Sequence, residues 1–257
     1  MIYRIAIATL LGLGLTVGTA CAHRREAEDA PEWSTKRGAR STKLDIAETM
    51  LDAGALEPAR IALAELRDDG VDSPDLDYLQ GRALAMMGLN SEAIPMLTRA
   101  AQKLSKDPRP YRTLGLVYAD QKDLEPAIEA LTRATKIDAD DAVTWNNLGF
   151  LLSSAKRHDE AVVALRHAVA RDSTNPRFRN NLGFALFQVG AVDDALRAFQ
   201  STGSDSDAFA NLGLAYELNG QPDRAREEYA RALTISPKHS GASDGLARLA
   251  APTETQP

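Results

Sequence analysis

Residues 142–175 read AVTWNNLGFLLSSAKRHDEAVVALRHAVARDSTN, and this stretch frames the whole chain. Leu148, Leu151 and Leu152 fall three and four apart, the spacing of one helix face. After a polar break, Ala161, Leu165 and Ala168 repeat that spacing. The pattern is a hairpin of two helices. Moving outward, it recurs with starts at 40, 74, 108, 142, 176 and 206, and four of the five intervals are 34 residues. The eighth position reads Ala47, Gly81, Gly115, Gly149, Gly183 and Gly213, and the twentieth reads Ala59, Ala93, Ala127, Ala161, Ala195 and Ala225. Small residues at both places let the two helices of a unit approach closely, and successive units then stack over one continuous core.

Composition agrees with an all-α chain. Of 257 residues, 44% are hydrophobic but only 5% aromatic, a diet that favours helices over sheets, and no stretch sustains Val/Ile/Thr alternation. The formal charge is -6 and no basic stripe appears, which argues against a nucleic-acid partner. Gly54, Gly88, Gly190 and Gly220 stand at the fifteenth position, where a left-handed residue closes the first helix; Lys122 and Lys156 stand there in the middle units. The interval between units five and six is 30 residues, so the second helix of unit five must be short or stop by Gly203. Pro237 ends a helix, and residues 240–251 predict a single capping helix.

The fullest unit carries Trp145, Leu148, Gly149, Leu152, Ala161, Leu165 and Ala168, and with its companions it resembles the tetratricopeptide repeat (TPR). The resemblance covers the array from 40 to 251. It implies a right-handed TPR solenoid of six helix-turn-helix repeats plus a C-terminal capping helix, with the first helix of each unit lining a concave groove. Weak matching in unit one fits a terminal repeat, one face of which meets water instead of a neighbour.

The N-terminal region reads as an address. Arg4 supplies a positive start, residues 5–17 an apolar run and Gly18, Thr19 and Ala20 a small-residue exit. The run of 13 is short of the ~20 apolar residues that span a bilayer, so residues 1–20 are expected to be a cleaved signal peptide. Cys21, the only cysteine, follows at once in a stretch that resembles a bacterial lipobox, although Gly18 replaces the usual aliphatic residue three positions before it. The resemblance implies an acylated Cys21 and, with Ala22 where aspartate would retain the protein at the inner membrane, sorting to the outer membrane. Plain secretion with cleavage after Ala20 or Ala22 stays open. Residues 21–39 are charged and carry Pro31 and Gly38, which predicts a flexible tether; residues 252–257 predict a disordered tail.

Chemistry is sparse. Gly241, Ser243 and Gly245 spell G-x-S-x-G with His239 nearby, but a hydrolase elbow needs a strand turning into a helix, and here a helix and a proline precede it. His23, His158, His167 and His239 are never three or four apart, and no cysteine joins them, so no metal site is expected. Asp138, Asp140 and Asp141 lack the glycine and closing glutamate of a calcium loop and are better read as helix caps. With no phosphate cradle either, no cofactor, no small-molecule substrate and no catalytic residue is expected.

Positions two, five, nine and twelve of each first helix line the groove in the TPR family. In this sequence they give Arg109, Arg112, Leu116, Asn146, Phe150, Arg177, Asn180, Phe184 and Phe187. Asparagines can bond a partner's backbone, arginines select carboxylates, and phenylalanines take apolar anchors, which points to an acidic segment with an apolar anchor. The bland alternatives are structural bonding for the sixth-position Asn147, Asn181 and Asn211, and partial packing between repeats for the phenylalanines. Leu44 with Glu48, and Tyr78 with Arg82, do not supply the carboxylate clamp of chaperone-binding relatives. Anchor and array together look most like the tight-adherence (Tad/Flp) pilus assembly lipoprotein. This implies a non-enzymatic scaffold at the periplasmic face of the outer membrane whose partner is a secretin or pilus assembly protein. A secretin pilotin and an adaptor for peptidoglycan hydrolases share the same features.

Overall fold

The computed structural model describes the backbone of residues 32–250 and the side chains of 42–250. The leader at 1–20, Cys21 and the tail at 252–257 lie outside the described residues. Thirteen α-helices and no strand occur among them: α1 (Glu32–Asp52), α2 (Leu56–Asp68), α3 (Pro74–Met86), α4 (Asn90–Lys103), α5 (Pro108–Asp120), α6 (Leu124–Ile137), α7 (Ala142–Ser154), α8 (His158–Arg171), α9 (Pro176–Gln188), α10 (Val192–Gln200), α11 (Asp205–Leu218), α12 (Pro222–Ile235) and α13 (Ser240–Ala250). No helix among the described residues is long and apolar enough to cross a membrane.

Each first helix packs on its own second helix, and each second helix packs on the first helix of the next unit. First helices also meet directly, α1 with α3, α3 with α5 and α7 with α9, and α13 closes over α11 and α12. The first helices are thereby drawn together into an inner, concave layer. Their starts are fixed chemically: Ser73, Asp107, Asp141 and Asn175 each accept a hydrogen bond from a backbone N–H two or three residues on, and Ser204 with Asp207 forms a full capping box. Second helices have no such side-chain caps. A tight turn positions them instead, in which the N–H of Asp123 reaches Tyr118 O at 2.9 Å and that of Arg157 reaches Leu152 O at 2.9 Å.

That turn needs a left-handed residue. Glycine supplies it at 54, 88, 190 and 220, but Lys122 and Lys156 adopt φ of 63° and 60° despite their side chains. Lys122→Gly and Lys156→Gly are each expected to stabilise the array by about 0.5–1 kcal/mol, read as a raised urea midpoint. A lowered midpoint would show that the lysines hold the turn by contacts outweighing the strain.

Within hairpins two to six the eighth-position glycine faces a large residue of the second helix. A methyl on Gly115 would lie 2.6 Å from Leu131 Cγ, and one on Gly149 2.5 Å from Leu165 Cγ. Phe199 and Tyr229 fill the same role against Gly183 and Gly213. The buried apolar residues form two clusters, one from Ala47 to Ala130 and one from Ala127 to Ala242, which abut in unit three where half-buried Tyr118 packs against both.

One expectation is corrected. Helix α1 starts at Glu32, so residues 32–39, expected within the tether, are helical. Dense charge suggests disorder there, yet Glu32, Lys36, Arg37, Ala39 and Arg40 are all strong helix formers, and one glycine does not stop a helix anchored at its other end. The second helix of unit five is short, as expected: α10 has nine residues and stops at Gln200, before Gly203.

Candidate functional site

The inner helices present a stripe of exposed apolar side chains. Leu116 and Phe150 occupy the same position of α5 and α7 and are 47% and 58% exposed; Val143, two turns before Phe150, is 55% exposed. Phe184 continues the row on α9 but is half-buried, its ring edge-on to Phe199 at 5.1 Å. Apolar side chains left open on a concave surface between repeats are the natural seat of a partner's apolar anchor.

The amides differ from expectation. Asn146 is buried, and its Oδ1 accepts from Asn181 Nδ2 at 2.8 Å, tying unit four to unit five. Asn180 accepts from Asn211 at 3.3 Å and from the Thr202 hydroxyl at 3.1 Å. A fifth-position asparagine thus bonds the sixth-position asparagine of the next unit, and both are spent on holding the stack. Phe187 is likewise buried, its ring edge-on to Tyr216 at 4.8 Å, so it packs between units five and six and offers no surface to a partner.

Neither do Arg109 and Arg112 wait for a carboxylate. Arg109 donates to Asp107 at 2.7 Å, comes within 3.4 Å of Glu48 and 3.3 Å of Asp75, and lies over the Tyr78 ring at 5.0 Å. Its hydrogen bond to Asp107 outweighs burial and holds its pKa above the usual arginine value. Arg112 donates to Asp141 at 2.8 Å. Burial would raise the Asp141 carboxyl, but bonds from Thr144 and Arg112 prevail and keep it below the usual carboxylate range. Arg177 is exposed and forms no ion pair among the described residues.

Sequence reasoning missed the carboxylates. A groove of about 730 Å³ beside Leu116 is lined by Glu48, Asp52 and Asp120 as well as by Arg82, Arg109 and Arg112. Asp52 and Asp120 sit one turn beyond the ninth position, on the same helix face, and that spacing was the available signal. A second hollow of about 660 Å³, between α11 and α13, is lined by Asp207, Glu217, Asp244, His239 and Arg248. There Ser243 lies in helix α13, and both nitrogens of His239 are engaged: Nδ1 accepts from Ala242 N–H, and Nε2 lies 3.0 Å from Asp207. The G-x-S-x-G string therefore lies within helix α13. No group of side chains suited to a metal ion occurs among the described residues.

Comparison with known proteins agrees with this architecture. Family profiles described as tetratricopeptide repeat match residues 78–142, 142–171 and 206–239. Similar solved structures include Pseudomonas aeruginosa PilF, with 16% identity and a TM-score of 0.62 over 83% of this chain and 99% of that one. YrrB, described as a TPR protein with an unusual peptide-binding site, has 20% identity and a TM-score of 0.59 over 72% of this chain and 98% of its own. MamA of AMB-1 has 20% identity and a TM-score of 0.57 over 64% and 90%. No curated protein sequence matches the chain significantly.

Proposed function

Because this chain is a tetratricopeptide-repeat protein, built on a fold that generally serves as a protein-interaction scaffold, we propose that it holds a partner polypeptide along α5, α7 and α9. The observation that carries this reading is the open row of Leu116, Val143 and Phe150 on the inner helices. Large apolar side chains facing water on a curved surface are costly unless something covers them, and an extended or helical segment fits such a groove. Changing Leu116→Ser together with Phe150→Ser should reduce pull-down of the native partner at least about tenfold while circular dichroism stays unchanged, since the side chains removed are exposed. Undiminished pull-down would exclude the groove.

The scaffold works at the outer membrane, on this reading, held there by acylated Cys21, and assists assembly of a pilus or secretion machine. Support for the anchor comes from the sequence: one cysteine, immediately after an apolar leader. Several acyl chains, at about 0.8 kcal/mol per buried methylene, would make it stable. Labelled palmitate should enter the wild-type protein and be absent from Cys21→Ser; an unlabelled, freely released wild type would refute the anchor. Deletion of the gene separates the machines. Lost pili with intact secretin multimers indicate pilus assembly, lost multimers a pilotin, and an altered cell-wall profile a hydrolase adaptor.

A further inference from the structure

The groove carries a charge imbalance that the arginines do not cover. Along the concave side of units one to four lie six carboxylates, Glu48, Asp52, Asp75, Asp107, Asp120 and Asp141. Three guanidiniums oppose them, and all three are engaged: Arg82 by Asp52 and Glu48, Arg109 by Asp107, Glu48 and Asp75, and Arg112 by Asp141. Matched one to one among the described residues, they leave three negative charges in excess. Among the described residues, Asp120 is met by an amide, that of Asn90, and by no cation. Beyond Phe150 the balance is closer: Arg248 and His239 stand with Asp207, Glu217 and Asp244 in the second hollow, and Arg177 on α9 is exposed with no ion pair among the described residues.

We propose that the occupant of the groove is a cationic polypeptide segment whose apolar side chain seats between Leu116 and Phe150 and whose lysines or arginines lie over units one to three. The proposal rests on the groove reading above and adds the partner's chemistry and its direction. Excess carboxylates on a concave wall reinforce one another's field, which draws positive side chains in and repels an acidic segment. Over units one to three, an acidic segment would have to displace Asp107 from Arg109 or Asp141 from Arg112, and both carboxylates are also helix caps. A cationic segment breaks neither bond.

A random twelve-residue peptide library displayed on phage and panned against the chain tests this. Selected peptides are expected to carry a large aromatic or aliphatic residue flanked on one side by lysine or arginine, and the best of them should bind at least about tenfold more weakly when salt is raised from low to high. In a Glu48→Gln, Asp52→Asn, Asp120→Asn protein, enrichment should persist while the basic bias disappears. Peptides with acidic or neutral flanks would overturn the charge assignment and leave the groove in place. No enrichment, or enrichment unaltered by Leu116→Ser with Phe150→Ser, would remove the groove itself and the proposal with it.

Discussion

Gly149→Val is expected to destabilise the array by about 3 kcal/mol or more, at the upper end of overpacking effects in well-filled cores. A Cβ at this position falls 2.5 Å from Leu165 Cγ and 3.3 Å from the Ala161 carbonyl, so neither the side chain nor the backbone of α8 offers room. Gly149→Ala separates two opposed terms. Helix propensity alone would favour alanine by about 1 kcal/mol, whereas relief of the contact requires α7 and α8 to move apart. The second term is expected to win, leaving the alanine variant destabilised. Combining it with Leu165→Ala should cost less than the sum of the two single changes, because the shortened side chain makes room for the new methyl. Additive costs in urea unfolding would mean that the glycine is there for some other reason than close packing.

Asp77→Ala is expected to cost about 2–3 kcal/mol, toward the low end for breaking a buried ion pair because the orphaned arginines can still reach water. Asp77 is fully buried and accepts from Arg99 Nε at 2.7 Å and Arg67 at 2.5 Å, fastening α2, α3 and α4 in one knot. In units three, four and six its repeat position holds an aromatic residue, Tyr111, Trp145 and Phe209. Burial raises the Asp77 carboxyl, but bonds from Arg99 and Arg67 more than offset this and hold it below the usual range. A carboxyl depressed in the folded state stabilises above the ordinary carboxylate pKa of about 3.9, and that stability is lost as pH falls through the lower folded value. Asp107, Asp141 and Glu217 are depressed too, so the wild type should unfold in acid below about pH 4, and Asp77→Ala should show a shallower acid limb. An unchanged limb would mean that the knot contributes nothing as a charged unit.

Much of the fold was legible because it obeys local rules. Glycine opposite leucine or phenylalanine, Asp141 as a cap before Trp145 and the glycine turns all follow from spacing along one hairpin, and each appears in the structure. The site was less legible, since it depends on how units face one another. Asn146 lies on the inner face by position, yet the stacking of unit five brings Asn181 against it and closes it off. Phe187 disappears in the same way behind Tyr216. Arg109 could have been matched with Asp107 from sequence, but its approach to Glu48, 61 residues away, depends on the superhelical geometry of three units. Leu116 and Phe150 stay open because no following unit reaches over them.

The central claim is that the inner face holds another polypeptide and the outer face does not. A photoactivatable phenylalanine analogue placed at Phe150, with Val163 on the exposed side of α8 as its outer-face counterpart, tests it in intact cells of the source organism. The account predicts one discrete adduct from position 150, mapped by mass spectrometry to a lysine- or arginine-bearing segment, and none from position 163. Adducts from 163 with silence at 150 would contradict it.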